Sequence, residues 1–441
     1  MTRILPSLAL RGTTLRFVGN PFEMPPEEAL RAEPGSVVVI EKGRIAAIGA
    51  WETLRRTLPP DMTVIDHGAC LIGPGFIDAH VHYPQFGVIA SYGEQLLSWL
   101  ERYVFPEEHR FAEPAYAHRV ASMFLDTLLT QGTTTAAVYC TVHPESVEAF
   151  FTESRSRNTR MIAGKVLMDR NAPDYLRDTA RSGYDQSHAL IEKWHGKGRA
   201  HYAVTPRFAP TSTEEQLELA GALLDTAPDL FMQTHLLETV QEELWVRALF
   251  PHRRSYLDVY DKAGLVRPRS IFGHAVHVTE QDLTRCAHSG CTLAHCPTSN
   301  AFLGSGAFRL LDAVKRDRPV HVALGTDIGG GNSLSMLRVM NDAYTAAQAH
   351  GTSLHPVQSY WLATTGAARA LGLDALIGQL EPGIEADLCV LDPMATPILR
   401  QRSERAENAS DLLFALSMLG DDRAIAATYV MGERHRSVSA G

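Results

Sequence analysis

From Gly75 onward, short apolar runs of β character alternate with longer helical stretches. The runs Gly75–His82, Thr133–Cys140, Arg160–Met168, His201–Thr205, Leu230–His235, Ser270–His274, Thr292–His295 and Val320–Thr326 read as strands. Helical stretches such as His118–Leu129, Pro144–Arg155, Thr213–Thr226 and Leu334–Ala349 fill the gaps. Eight β units with α units between them, over about 250 residues, make an α/β protein of the size of a (β/α)8 TIM-type barrel. An open doubly wound sheet is the alternative.

The two ends of the chain have a different pattern. Residues 8–72 read as short strands and turns. Ser36–Gly49 is apolar, breaks at Lys42-Gly43 and becomes apolar again, which is a hairpin signal. Pro21–Pro34, with Pro25, Pro26 and several Glu, reads as a surface loop or a short capped helix. Strand-like pieces return at Ala386–Asp392 and Ala427–Gly432, after a helical stretch ending near Leu371. The simplest arrangement pairs them with the N-terminal strands. Residues 1–72 plus 376–441 then form a composite small β domain, and residues 73–375 form a barrel inserted within it.

Composition narrows the class. The chain has 441 residues, 45% hydrophobic and 21% charged, which suits a soluble globular protein and excludes wholesale disorder. The net charge of −9 argues against a nucleic-acid or anionic-membrane partner. No apolar run is long enough to span a bilayer, and the start does not read as a secretory signal. Six cysteines are too few for a disulfide scaffold, so a reduced, cytoplasmic protein is expected.

The 19 histidines matter through their positions. In Asp78-Ala-His80-Val-His82, residues two apart on a strand face one side, so His80 and His82 can address one metal ion. Taken alone, the pair reads equally well as two structural histidines. His235, His274 and Asp327 close the fifth, sixth and eighth predicted strands, and Glu238 follows three residues after His235. In a barrel these strand ends converge on the face where active sites are built. Several imidazoles with one carboxylate suit Zn2+, and Fe2+ shares much of that chemistry. Such an ion lowers the pKa of a bound water, and a nearby free carboxylate, Glu238, can move protons.

Gly73-Pro-Gly-Phe-Ile-Asp-Ala-His-Val-His82 resembles the first-strand motif of the amidohydrolase superfamily, and His235, His274 and Asp327 match its other metal-site strands. The likeness covers nearly the whole chain. His82-Tyr-Pro-Gln85, the segment Tyr92–Glu107, Thr205-Pro-Arg-Phe208, Cys296-Pro-Thr-Ser-Asn300 and Gly325-Thr-Asp-Ile-Gly-Gly-Gly331 further resemble the guanine deaminase family, its bacterial members above all. That resemblance implies one zinc per subunit on His80, His82, His235 and Asp327, with His274 against the metal-bound water and the substrate. It also implies Glu238 as proton shuttle, Gln85 and Arg207 on the polar edge of guanine, Phe208 on its ring, and a homodimer. The chemistry agrees: a Phe face stacks on a planar ring, Arg offers a fixed donor fork, and Gln offers a donor and an acceptor. Without the likeness, a salt bridge for Arg207 and ordinary core for Phe208 are the simpler readings.

The implied reaction is hydrolytic. Asp327 accepts the proton of the zinc-bound water, Glu238 protonates N3, hydroxide attacks C2, and His274 steadies the oxygen that becomes the new carbonyl. Glu238 then protonates the departing amine, leaving xanthine and ammonia. Two-metal members of the superfamily carry a bridging lysine on the fourth strand. His201-Tyr-Ala-Val-Thr-Pro206 has none, and Lys165 on the third strand reads as structural or cavity-lining.

Other signals are set aside. Cys286, Cys291 and Cys296 mimic a metal cluster but read as buried thiols. Gly329-Gly-Gly331 lacks the Lys of a phosphate loop and reads as a turn near substrate. Trp99 and Tyr103, four apart on a helix, read as core or lid packing, with a dimer contact as the alternative. The rival functions are a related amidohydrolase acting on a triazine or pterin, and a non-catalytic scaffold on the same fold.

Overall fold

In the computed structural model, which describes residues 5–92 and 96–435, the eight expected strands pair in parallel in chain order. They are β1 (Phe76–His82), β2 (Thr133–Tyr139), β3 (Arg160–Gly164), β4 (Ala200–Pro206), β5 (Phe231–Leu236), β6 (Ser270–His274), β7 (Thr292–His295) and β8 (His321–Leu324). The sheet closes on itself just beyond β8. Asp327 N donates to His80 O at 2.8 Å, and His82 N donates to Ile328 O at 2.8 Å. The fold is therefore a barrel rather than an open sheet, and neither edge strand is left unpaired there.

Ile77, Ala79, Ile162, Phe231, Ile271 and Ala323 fill the barrel interior. Phe76, Val138, Tyr202 and Phe272 join the larger core shared with the outer helices. This in-and-out alternation is the ordinary consequence of a two-residue strand period. The register of β1 shifts between Asp78 and Val81. Ile77 and Ala79 belong to the inner cluster, and from within the shift onward His80 and His82 reach the centre of the barrel mouth. An irregularity of this kind re-aims side chains next to a site.

The expected third strand is interrupted. Arg160–Gly164 ends at Lys165, and only Val166–Leu167 resumes, paired with β4. Lys165 is fully buried and bonds Asp178 at 2.5 Å and Val166 O at 3.2 Å. It is a structural ion pair and does not line the cavity at the barrel mouth. Helix starts follow side-chain chemistry: Thr179, Thr239 and Thr279 each form a capping box with the residue three positions on.

A second sheet joins strands from both ends of the chain. Its order is Glu433–His435, Ile425–Val430, Leu388–Leu391, Thr63–Pro74, Leu8–Phe17, Leu30–Glu41 and Arg44–Ala50. Leu10, Val38, Ile40, Ile72, Leu388 and Tyr429 pack within it. The Lys42-Gly43 hairpin forms, with φ of 49° and 78°, the paired positive values of a tight two-residue turn. The Pro21–Pro34 expectation holds as far as Ala29, with turn and loop over residues 21–25 and then the helix Pro26–Ala29, which has no side-chain cap. Leu30 to Glu33 is strand, because pairing with Thr14–Phe17 satisfies a backbone whose Glu-rich composition reads as loop.

At the barrel's opposite end, a buried ion network joins the two parts. Glu385 takes Arg160 and Arg199, each at 2.7 Å, and Arg199 also bonds Asp387. Burial would raise the Glu385 carboxyl, but Arg199 and Arg160 outweigh it and hold it below its ordinary value. Removing Glu385 leaves the buried Arg160 without a carboxylate and Arg199 with Asp387 alone, so Glu385→Ala should destabilise the fold by about 3–5 kcal/mol in denaturant titrations at pH 7. A depressed folded pKa stabilises fully above the unfolded value of about 4.3 and loses that stabilisation as pH falls through the folded one. The gap between wild type and variant should therefore narrow below about pH 4.

Candidate active site

The C-terminal ends of β1, β5, β6 and β8 bring His80, His82, His235, His274 and Asp327 together, as the strand-end pattern predicts. His80 Nε2 and His82 Nε2 lie 3.3 and 3.4 Å from Asp327 Oδ1. His82 Nε2 is 3.2 Å from His235 Nε2. His274 Nε2 approaches the other carboxylate oxygen, Oδ2, at 3.5 Å. The ligand atoms of His80, His235, His274 and Asp327 all lie within 4.8 Å of one another.

Local sequence explains the convergence. The His80 ring fits because two neighbours have no side chain: a Cβ on Gly273 would come within 2.5 Å of His80 Nδ1, and one on Gly325 within 2.8 Å of His80 Cβ. His235 Nδ1–H donates to Arg207 O at 2.7 Å, which turns the Nε2 lone pair to the centre. His274 Nδ1–H donates to Asn300 Oδ1 at 2.9 Å, which aims Nε2 inward in the same way. Leu237, Ala275 and Asp327 all have left-handed φ, 50°, 57° and 48°, at the ends of β5, β6 and β8. Strained backbone of this kind collects at functional sites.

Glu238 follows β5 and is held from behind. Glu242 Oε2 accepts from Glu238 N at 2.8 Å and Thr239 N at 3.3 Å, so the capping box of the next helix fixes the backbone under Glu238. The Glu238 carboxylate accepts from Ser305 Oγ at 3.2 Å and faces His274 Nε2 at 3.5 Å. Burial pushes its pKa up to about 7.

Electrostatics divides the histidines. Burial lowers His80 and His235 and takes His82 to about 3, so all three are neutral imidazoles, the form that binds metals. Burial would lower His274 too, but Glu238 and Asp327 outweigh it and raise it. The residues fit a metal ion. His80 Nε2 is buried with no hydrogen-bond partner, and two imidazole Nε2 atoms face each other. The 3.2–3.4 Å spacings among His82, His235, His80 and Asp327 match the edges of a tetrahedron with ligands about 2.0–2.1 Å from its centre.

Gln85, Arg207 and Phe208 lie beside this centre in a cavity that Trp99, Leu100 and Leu303 also line. Trp99 packs in a buried cluster beside the cavity with Leu100, Val104 and Phe105, and Tyr103 packs at the edge of the same cluster. Gly93, Glu94 and Gln95 of the Tyr92–Glu107 segment lie outside the described residues. The Gly329–Gly331 turn approaches closely: Gly329 N donates to Gln85 Oε1 at 3.0 Å, and a Cβ on Gly331 would meet Thr326 O at 1.9 Å. The cysteine triplet separates, with Cys286 and Cys291 adjacent and Cys296 elsewhere. β4 carries no lysine.

Sequence reasoning missed Asp78, Asn300 and Glu108 as individuals. Asp78 sits within the first motif, fully buried, and bonds Thr326 N at 3.0 Å and Thr326 Oγ1 at 2.5 Å; burial raises it to about 7. Asn300 ends the Cys296–Asn300 motif, where a buried amide signals a partner. Glu108 lies just past the Tyr92–Glu107 segment and is fully buried against Arg207.

The amidohydrolase family profile matches residues 71–434. Guanine deaminase of Escherichia coli (strain K12) is 45% identical over 427 residues, 96% of each chain. The solved E. coli guanine deaminase superposes with a TM-score of 0.95 at 44% identity, covering 98% of this chain and 100% of that one. A guanine deaminase from C. acetobutylicum, solved with guanine in its active site, gives a TM-score of 0.87 at 27% identity, covering 97% of this chain and 100% of that one. The chain belongs to the amidohydrolase family and, within it, to the guanine deaminases.

Proposed function

We propose that the protein hydrolyses guanine to xanthine and ammonia, in purine catabolism or salvage. One observation carries the reading: a cluster of imidazoles and one carboxylate opens onto a cavity that Arg207 and Gln85 also line. We assign His80, His82, His235 and Asp327 to one Zn2+ per subunit, with Fe2+ as the alternative ion. When bound, the ion supplies acidity to a water, bringing hydroxide within reach of pH 7.

Asp327 has distinct faces for distinct tasks. Oδ1 faces His80 and His82, which leaves Oδ2, on the His274 side, to take the proton of the attacking water. Glu238, raised to about 7 by burial, can be protonated at neutral pH and give that proton to N3 of guanine. Charge is thereby drawn from C2, where the hydroxide adds. His274, between Asp327 Oδ2 and Glu238 Oε2, donates to the oxygen that becomes the new carbonyl. The proton taken by Asp327 passes to Glu238, which delivers it to the 2-amino group; ammonia leaves as the new C2 hydroxyl returns its proton to Glu238 and becomes the carbonyl. Phe208 offers its face to the ring, and Arg207 and Gln85 meet the polar edge.

The six cysteines are free thiols, which supports a reducing, cytoplasmic setting. No helix among the described residues is long and apolar enough to cross a membrane. The family likeness supports a homodimer.

Zinc-replete protein mixed with guanine should release xanthine and ammonia in equal amounts, and a chelator should abolish turnover. No turnover with zinc bound would move the substrate to another heterocycle. His82→Ala should lose metal by elemental analysis, whereas His274→Ala should keep it and lose turnover; the reverse pattern would exchange the two assignments. Glu238→Gln should keep the metal and lose about 10²–10⁴-fold in kcat. A near-normal rate in that variant would remove Glu238 from the proton path.

A further inference from the structure

Arg207 and Gln85 reach the cavity, but neither orients itself. Both are tied to Glu108, a fully buried carboxylate on the helix Phe105–His109. Glu108 Oε1 and Oε2 accept from the same guanidinium nitrogen, Arg207 Nη1, at 2.9 and 2.8 Å. Glu108 Oε1 also accepts from Gln85 Nε2 at 3.3 Å. The Phe105 ring lies 5.6 Å from the guanidinium carbon and limits its tilt.

We propose that Glu108 is a positioning residue that fixes the hydrogen-bond pattern shown to position 6 of the purine, and so selects 6-oxo over 6-amino purines. The inference rests on the guanine reading above. An amide can rotate by half a turn and exchange its donor for its acceptor. Gln85 cannot do so here. Its Oε1 accepts from Gly329 N at 3.0 Å, and its Nε2 donates to Glu108; rotation would set oxygen against carboxylate and N–H against N–H. The second Nε2 hydrogen stays available to the cavity. Arg207 has only donors, and with Nη1 shared between the two Glu108 oxygens its Nη2 and Nε hydrogens remain to be offered. The edge is therefore rich in donors. A 6-oxo purine presents acceptors at O6 and N7. A 6-amino purine presents a donor at position 6, which would face donors. A site built to pair with one pattern rejects the other strongly, because its own buried groups are then left unpaired.

Glu108→Gln keeps the volume and removes one acceptor. Its amide N–H must face either Arg207 or Gln85, which frees Gln85 to rotate. The test compares guanine with 2,6-diaminopurine, which carries the same leaving group at C2 and differs at position 6 and in the hydrogen on the adjoining N1. Both the kcat/KM ratio of the two substrates and KM itself are independent of the fraction of active enzyme, so partial misfolding does not move them. In Glu108→Gln the ratio should fall about tenfold or more and guanine KM should rise about tenfold, with kcat and metal content changing much less.

Glu107→Gln is the control. Its carboxylate bonds Arg110 and Tyr116 instead, and its ratio should equal that of wild type. If Glu108→Gln does not fold, Glu108→Asp, which withdraws the charge by one methylene, should show the same fall. An unchanged ratio and KM in the variant that folds overturns the proposal, as does an equal fall in the Glu107→Gln control. Wild-type protein that leaves guanine untouched fails the functional reading instead, so the two failures are distinct.

Discussion

The site depends on one backbone hydrogen bond, from Asp327 N to His80 O at 2.8 Å. It closes the barrel where β8 meets β1, so that no edge is left unpaired at that seam. The same bond sets the only carboxylate of the metal-ligand candidates against the first histidine pair. Barrel closure and assembly of the centre are therefore one event. Asp78 reinforces the seam from below by accepting from Thr326 N and Thr326 Oγ1, and from His80 N at 3.2 Å. Gly273 and Gly325 leave the space into which the His80 ring fits. A chain that failed to close here would lose its core and its chemistry together.

Burial then sorts groups of the same type into different roles. His80, His82 and His235 are driven neutral, because burial acts on them without sufficient compensation. His274 is equally buried but faces both Glu238 and Asp327, and the balance reverses. Glu238 rises to about 7 under burial, whereas Asp327 is held well below its ordinary range by His274, His80 and His82 despite burial. Two carboxylates in one pocket are thus pushed apart, Asp327 held ionised and Glu238 brought to exchange protons near neutral pH. That separation lets one accept a proton while the other delivers one.

Much of this was legible in the chain because strand ends are local features. A histidine or aspartate closing an apolar run is visible without the fold, and barrel topology supplies the convergence. The positions of His80, His82, His235, His274 and Asp327 followed from that rule. Other features were not visible because they are set by partners distant in sequence. Glu108 lies 99 residues from Arg207, the partner it is buried against. Leu30 to Glu33 reads as loop until Leu8–Phe17 provides hydrogen bonds. Lys165 interrupts β3 because Asp178, thirteen residues on, draws its ammonium into the interior.

Chemistry and recognition also come from different kinds of element. The candidate metal ligands stand on strand ends or at the closure seam, anchored by the barrel's hydrogen bonds. Gln85, Glu108 and Phe208 stand in segments that follow β1 and β4, and Arg207 directly follows β4. A loop segment alone would hold a donor edge loosely, and a misplacement of an ångström is expensive in catalysis. Glu108 removes that freedom by tying both recognition groups to one buried carboxylate, while Gly329 N, next to the closure seam, holds the far end of Gln85. The recognition edge is thus fastened to the same seam that assembles the centre. A change at Glu108 removes none of the hydrogen bonds that hold the strand-end groups, whereas one at Gln85 also releases Gly329 N beside the seam.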